Sequence, residues 1–358
     1  MTAPPPSSTP ATPPDPAPDG TPALLALLAH FGSLRTALAG MALLGVAVLV
    51  GRFRSDWLGV GLIVALLFLA LNLLVALVVH PTLRRRAPLL VFHLALLGLV
   101  LASGLGRMTA LDGRFELTEG VPWDGVLLDG VAGRWHPDRL GQLSFVHSGF
   151  EIDYAPGLKR GPTRNRVHWT DADGQPQDAV IGDHHPLVLR GYRIYTSPNK
   201  GYAPLLRWTP AGGEPAVGAL HLPSYPAHAL KQSLDWQPPG GPALWLQLPV
   251  DPGLIDPERA GRFRLPDDRT LVIRHGSGPA EQRLTLAPGA SIDLPGGRLD
   301  YLELRTWMGY RVSYDLSLMW LLGLSLLAVV ALGWHYARQF LAPTPRRTGA
   351  AAGALEAR

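Results

Sequence analysis

Four apolar runs free of Asp, Glu, Lys and Arg punctuate the chain: Thr36 to Gly51, Trp57 to Val79, Ala87 to Leu105 and Leu316 to Tyr336. A helix crosses a bilayer core with about 20 residues. The last three runs are long enough, and the first becomes so with a few preceding residues. The pattern predicts four transmembrane helices, three together and one near the C-terminus. Ahead of them, Leu24, Leu25, Leu27, Leu28, Phe31 and Leu34 recur at helical spacing. This fits an amphipathic helix over residues 23–35 lying in the membrane interface, or an extension of the first span.

The long segment between the third and fourth runs follows another period. Phe150, Ile152 and Tyr154 alternate with Glu151 and Asp153, and Leu244, Leu246, Leu248 and Val250 with Trp245 and Gln247. Tyr310, Val312 and Tyr314 repeat the alternation before the last run. These are half-buried strand patterns. Turn-rich pieces such as Pro238-Pro239-Gly240-Gly241-Pro242 and Asp171-Ala172-Asp173-Gly174 separate them. No stretch of ten residues carries a helical stripe, so a two-sheet β domain is expected.

Charge then orients the chain. The formal net charge is +4, yet residues 107–315 carry 22 basic and 24 acidic side chains. The basic excess lies beside the apolar runs and does not point to nucleic acid. Arg84, Arg85 and Arg86 separate the second and third runs, Arg35 precedes the first, and Arg338, Arg346 and Arg347 follow the fourth. Arginine-rich short loops stay cytoplasmic, which places both termini inside and residues 107–315 outside. Arg52 and Arg54 are the exception to the pattern.

The expected fold class is an integral membrane protein. It has four transmembrane α-helices (3+1) and a large extracytoplasmic all-β domain inserted between the third and fourth. Residues 1–22, with eight prolines before Thr21, read as a disordered cytoplasmic tail. Residues 23–35 form the interfacial helix, 36–106 the three-helix region, 107–315 the β domain, 316–336 the fourth helix and 337–358 a cytoplasmic tail.

Composition narrows the chemistry. The chain has no cysteine, which excludes disulfides, thiolate zinc sites, thiol redox chemistry and a covalent c-type haem of its own. Nucleotide-binding P-loops, GxSxG and HExxH are missing too. Histidine is left as the side chain for metal or haem ligation. His93 lies inside the third run, between Phe92 and Leu94, roughly 9 Å from its cytoplasmic end. An ionisable group in a span marks a functional site by default, and apolar surroundings keep imidazole neutral, the form that ligates haem iron. The alternative is a histidine bonded to a neighbouring carbonyl. His80 and His335 end the second and fourth runs, where they could approach His93 or serve as solvated anchors. His184 and His185 are adjacent before the strand-like run Leu187 to Tyr195, so their side chains diverge. His136, His147, His168, His221, His228 and His275 show no ligand spacing and are mostly expected at the surface. The seven tryptophans from Trp123 to Trp307 are expected in packing.

Several segments resemble the ResB-like family of System II cytochrome c biogenesis. They are Phe31-Gly32-Ser33-Leu34-Arg35-Thr36-Ala37, Leu71-Asn72-Leu73-Leu74, Phe92-His93-Leu94-Ala95-Leu96-Leu97-Gly98 and Phe115-Glu116-Leu117-Thr118-Glu119-Gly120. His185-Pro186-Leu187, Gly191-Tyr192-Arg193-Ile194-Tyr195 and Met308-Gly309-Tyr310 to Asp315 are similar as well, and the resemblance runs from Phe31 to Tyr336. It implies a membrane subunit that is not an enzyme alone but acts in a cytochrome c synthase (haem lyase) complex. Its partners would be a CcsA/ResC-like membrane protein, apocytochrome c and membrane lipid. The cofactor is haem b, as transported substrate or bound ligand, and His93 matches the family's haem-ligand histidine in the third span. The loop Arg52 to Asp56 is shorter than the family's usual one. A second reading is a membrane-tethered β module that binds an envelope component without haem.

Overall fold

The computed structural model describes residues 23–223, 232–249, 256–263 and 268–341. The proline-rich tail, His228, Arg346 and Arg347 lie outside the described residues. The described residues divide into a helical unit, residues 23–105 and 317–341, and a β unit within Gly106–Leu316.

The helical unit contains α1 (Ala23–Phe31), α2 (Leu34–Phe53), α3 (Ser55–Val79), α4 (Pro81–Arg85), α5 (Ala87–Thr109) and α6 (Ser317–Phe340). Among them α2, the stretch Gly59–Val79 of α3, α5 and α6 are long and apolar enough to cross a membrane. Ser33 caps α2, its Oγ accepting from the Thr36 N–H at 3.4 Å. A single residue, Arg54, separates α2 from α3. The two helices run antiparallel at close approach: a Cβ on Gly40 would meet Phe68 and Leu69, and one on Gly61 would meet Ala47. Small residues permit this close approach. Pro81 opens the short α4 at the position where its missing N–H costs nothing.

Among the described residues the β unit has sixteen strands. The first seven are β1 (Leu111–Thr118), β2 (Asp129–Ala132), β3 (Val146–Ala155), β4 (Lys159–Thr170), β5 (Pro176–Ile181), β6 (Leu187–Leu189) and β7 (Tyr192–Pro210). Next come β8 (Ala216–Ala219), β9 (Leu222–Pro223), β10 (Ser233–Trp236), β11 (Leu244–Gln247) and β12 (Gly261–Phe263). The last four are β13 (Leu271–His275), β14 (Gln282–Leu286), β15 (Ser291–Leu294) and β16 (Gly297–Tyr314). They form three sheets rather than the expected two. The largest has the order β2-β1-β16-β7-β6, with β8, β9 and β15 attached to β7 or β16; the others are β10-β11-β13-β14 and β12-β3-β4-β5.

The third sheet arises because β7 and β16 pair antiparallel along nearly their whole length, longer than one opposing sheet covers. One half of this ladder packs with β1, β3 and β4 into a core holding Phe115, Phe145, Ile194, Tyr310 and Val312. The other half packs against β11, β13 and β14 around Trp208, Leu246, Ile273 and Tyr301. The run Leu187 to Tyr195 is likewise broken by a tight turn. Arg190 and Gly191 both take positive φ, 49° and 89°, the backbone of a two-residue hairpin turn, so β6 folds back onto β7.

Lys200 sits just past a bulge in β7 that leaves the inward face unchanged. Residues Ser197 to Asn199 loop out opposite Gly309, between the pairs Tyr310↔Thr196 and Met308↔Lys200. Lys200 therefore stays on the inward face of Tyr192, Ile194 and Thr196, 2% exposed, and donates to Thr163 Oγ1 at 2.7 Å. Arg160 donates to the same hydroxyl at 2.6 Å and pairs with Asp183 at 3.1 Å. Burial, followed by the Arg160 charge, pushes the Lys200 ammonium down to about 7. A lysine at its ordinary value near 10.5 in the unfolded chain binds the proton more tightly, so the folded state gains as pH rises from 7. Stability should increase by about 2 kcal/mol between pH 7 and 9. Denaturant titrations at both pH values check this, and Lys200→Met should flatten the rise; an equal rise in the variant would assign it elsewhere.

Candidate functional site

Three segments far apart in sequence meet in the helical unit. The turn Phe31-Gly32-Ser33 between α1 and α2 is held against α3 by Asn72. This amide is 4% exposed and donates to the carbonyls of Phe31 and Ser33. Gly32 allows the approach, since a Cβ there would lie 3.0 Å from the Ala76 nitrogen. A buried amide in an otherwise apolar helix is satisfied only by such carbonyls. Asn72 therefore fixes the turn at one height along α3.

This turn, the end of α3 and the start of α5 border a cavity of about 720 Å³. Leu34, Leu69, Leu73, Phe92, Leu96 and Leu99 supply apolar wall, and Ser33, Asn72, His80, Thr82 and His93 bring the polar groups. Its volume and its few polar groups in an apolar lining are those of a small-molecule or cofactor site.

His93 is half-buried in this wall. Its Nδ1 lies 2.7 Å from the carbonyl oxygen of Leu89, one turn earlier in α5. A carbonyl can only accept, so Nδ1 carries the proton and Nε2 keeps its lone pair. A backbone carbonyl orienting one ring nitrogen while the other is left for a metal is the usual arrangement of metal-binding histidines. The residues present fit haem: an apolar cavity of sufficient size, one imidazole in the ligating tautomer and several uncharged hydrogen-bonding groups.

His80 lines the same cavity, at the junction of α3 and α4. His335 is not among the lining residues; its Nε2 pairs with the Gln339 side chain at 3.0 Å, one turn on in α6. Asn72 and Ser33 carry no ligand chemistry in sequence and acquire their place here only from the fold.

The β-unit histidines are not the mostly exposed set expected. His147 is fully buried. Its Nε2–H donates to the Leu117 carbonyl at 2.9 Å, and Nδ1 accepts from the Gly149 N–H at 3.2 Å. Asn165 lies beside it, bonded to the Tyr310 hydroxyl at 2.7 Å. Desolvation drives the His147 value down to about 4. His221 stacks on Trp307, ring planes 3° apart, and bridges Glu116 and Thr118 at 2.9 Å each. Glu116 and Thr118 share one face of β1, so a single imidazole reaches both. His136 donates from Nδ1 to the Thr109 carbonyl and accepts from the Tyr192 hydroxyl at 2.8 Å. All three histidines have structural tasks. His184 and His185 are exposed and line a cavity of about 540 Å³ with Arg160, Thr163 and Asp183. Among the described residues no cluster of His, Asp or Glu is arranged to hold a metal ion.

No known protein family matches the chain, and no curated protein is significantly similar to it. Its described residues thus define a chain with four helices able to cross a membrane and a large all-β unit between the third and fourth.

Proposed function

We propose that the chain is a ResB-like, haem-handling membrane subunit of a System II cytochrome c synthase complex, not an enzyme alone. In this reading it is multi-pass in a bacterial plasma membrane, with cytoplasmic termini and an extracytoplasmic β unit. Haem b is its cargo, and the complex with a CcsA/ResC-like protein serves apocytochrome c.

The observation that carries the reading is the convergence at one cavity of the Phe31–Ala37, Leu71–Leu74 and Phe92–Gly98 segments, with His93 in the ligating tautomer. The resemblance lies in the order of such segments along the chain, and their meeting at one cavity is independent of it. His93 would supply a nitrogen ligand to the haem iron. Leu89 would hold the imidazole in place through its carbonyl, and the leucines and Phe92 would cover the macrocycle and exclude water. Asn72 positions the Ser33 turn that closes the wall. With no cysteine, this chain leaves thiol reduction to other proteins.

The test is the absorption spectrum of the purified complex. His93→Ala should lose the haem band, added imidazole should restore it, and His335→Ala should leave it intact. An unchanged spectrum in His93→Ala together with normal cytochrome c maturation would refute the ligand role. A preparation free of haem that still captures an envelope protein would favour a tethered binding module.

A further inference from the structure

Both covalent links from the β unit to the apolar runs leave from one row of the large sheet. The last turn of α5 leads through Ala110 into Leu111, and Tyr314 leads through Asp315 and Leu316 into α6. Leu111 and Tyr314 are direct partners, and the row continues to Ala132 on β2 and Tyr192 on β7. The next row holds Val131 at one end and Val188 at the other, joined through Asp112, Ser313 and Arg193. The loop after β2 is bound to the same level: the Gly133 N–H donates to the Ala110 carbonyl and the Trp135 N–H to that of Met108. Met108 follows Leu105, the end of the third apolar run, by three residues, or about 4.5 Å of helix.

This base is apolar where it should be polar. Nine large apolar side chains of the β unit are exposed among the described residues, and four of them, Val131, Trp135, Val188 and Leu316, lie at this end. Trp135 is 58% exposed, Val131 69% and Val188 56%. Arg107, Arg134 and Arg190 are exposed among them, in a domain whose overall balance is slightly acidic. Arginines outside a membrane gain nothing from topology. Tryptophan, exposed valines and arginines in one band instead match a bilayer interface, with rings and aliphatic groups at headgroup depth and guanidinium groups on phosphate.

We infer that this base is a lipid-docking surface: Trp135, Val131 and Val188 enter the headgroup layer of the outer leaflet, and Arg107, Arg134 and Arg190 bind its phosphates. The inference rests on the reading that α2, α3, α5 and α6 cross a membrane, and not on any role in haem handling.

The cysteine-free chain makes the test direct, because one introduced cysteine is the sole thiol. Full-length Val131→Cys and Val188→Cys would be labelled with a polarity-sensitive fluorophore and reconstituted in phospholipid vesicles. Val217→Cys on β8 serves as the solvent reference and Leu101→Cys in α5 as the buried one. Lipids with a nitroxide on the headgroup should quench positions 131 and 188 and shift their emission to the blue. Position 217 should be unaffected, and acyl-chain nitroxides should quench 101. If 131 and 188 behave like 217 while 101 is quenched from the acyl chains, the docking surface is refuted and the spanning reading stands. If 101 also escapes quenching, both fail.

Discussion

Phe115→Ala should cost the β unit about 4 kcal/mol, the range for emptying a buried aromatic site. The ring is 2% exposed and lies between Trp123, 4.0 Å away and nearly parallel, and Tyr310 at 5.1 Å. Phe145 meets its edge at 6.2 Å. Neither stacked neighbour can collapse into the gap, since the Tyr310 hydroxyl is bound to Asn165 and the Trp123 Nε1–H to the Val126 carbonyl. The void should therefore persist. Denaturant unfolding followed by tryptophan fluorescence checks this on the full chain, and Phe115→Leu should lose markedly less. A loss under about 1 kcal/mol would show that the core relaxes around the site.

Acidification should act through His147. Its value falls from about 6.5 unfolded to about 4 folded, with desolvation as the first cause. The folded ring has no place for a second proton, because its Nδ1 already accepts from the Gly149 N–H. The stabilisation is complete above pH 6.5 and is lost as pH falls toward 4, by about 3 kcal/mol in all. Carboxylates titrate in the same window, so the measurement is a difference. His147→Gln should be less stable than wild type at pH 7, and the gap should narrow by about 3 kcal/mol at pH 4. A gap independent of pH would mean that His147 does not titrate in this way.

The helices were readable because apolar runs of sufficient length without charge have few other fates. The all-β character was readable from alternation. What could not be read was parity. The pairing of β3 with β4 shifts between His147 and Phe150, and that of β7 with β16 shifts between Met308 and Tyr310. The first adds one residue to β3 and moves the side chains beyond it to the other face, whereas the second adds two to β7 and keeps the face. His147 thus goes inside, where the alternation of Phe150, Ile152 and Tyr154 would not send it. Arg190 in a positive-φ turn beside Gly191 hid a hairpin within an unbroken-looking strand. The number of sheets depends on partners far along the chain, which no local pattern contains. At the candidate site His93 announced itself as an ionisable group in an apolar run. Asn72 and Ser33 gave no chemical signal, because their role is to set the height of a turn.

The sheet order also bears on how the molecule is made. β16 is the last strand in the chain, yet it lies at the centre of the large sheet, between β1 and β7. During synthesis β1 and β7 emerge long before the strand that joins them, and each presents an unpaired edge in the interval. The strand they await closes a loop of about 90 residues to β7 and about 190 to β1, a slow step by its topology. If the β unit is exported as proposed, its central strand is delivered immediately before α6, so completion of the sheet coincides with insertion of the last helix. A nascent chain stalled before Gly297 would hold both cores incomplete, each lacking the half of β16 that belongs to it.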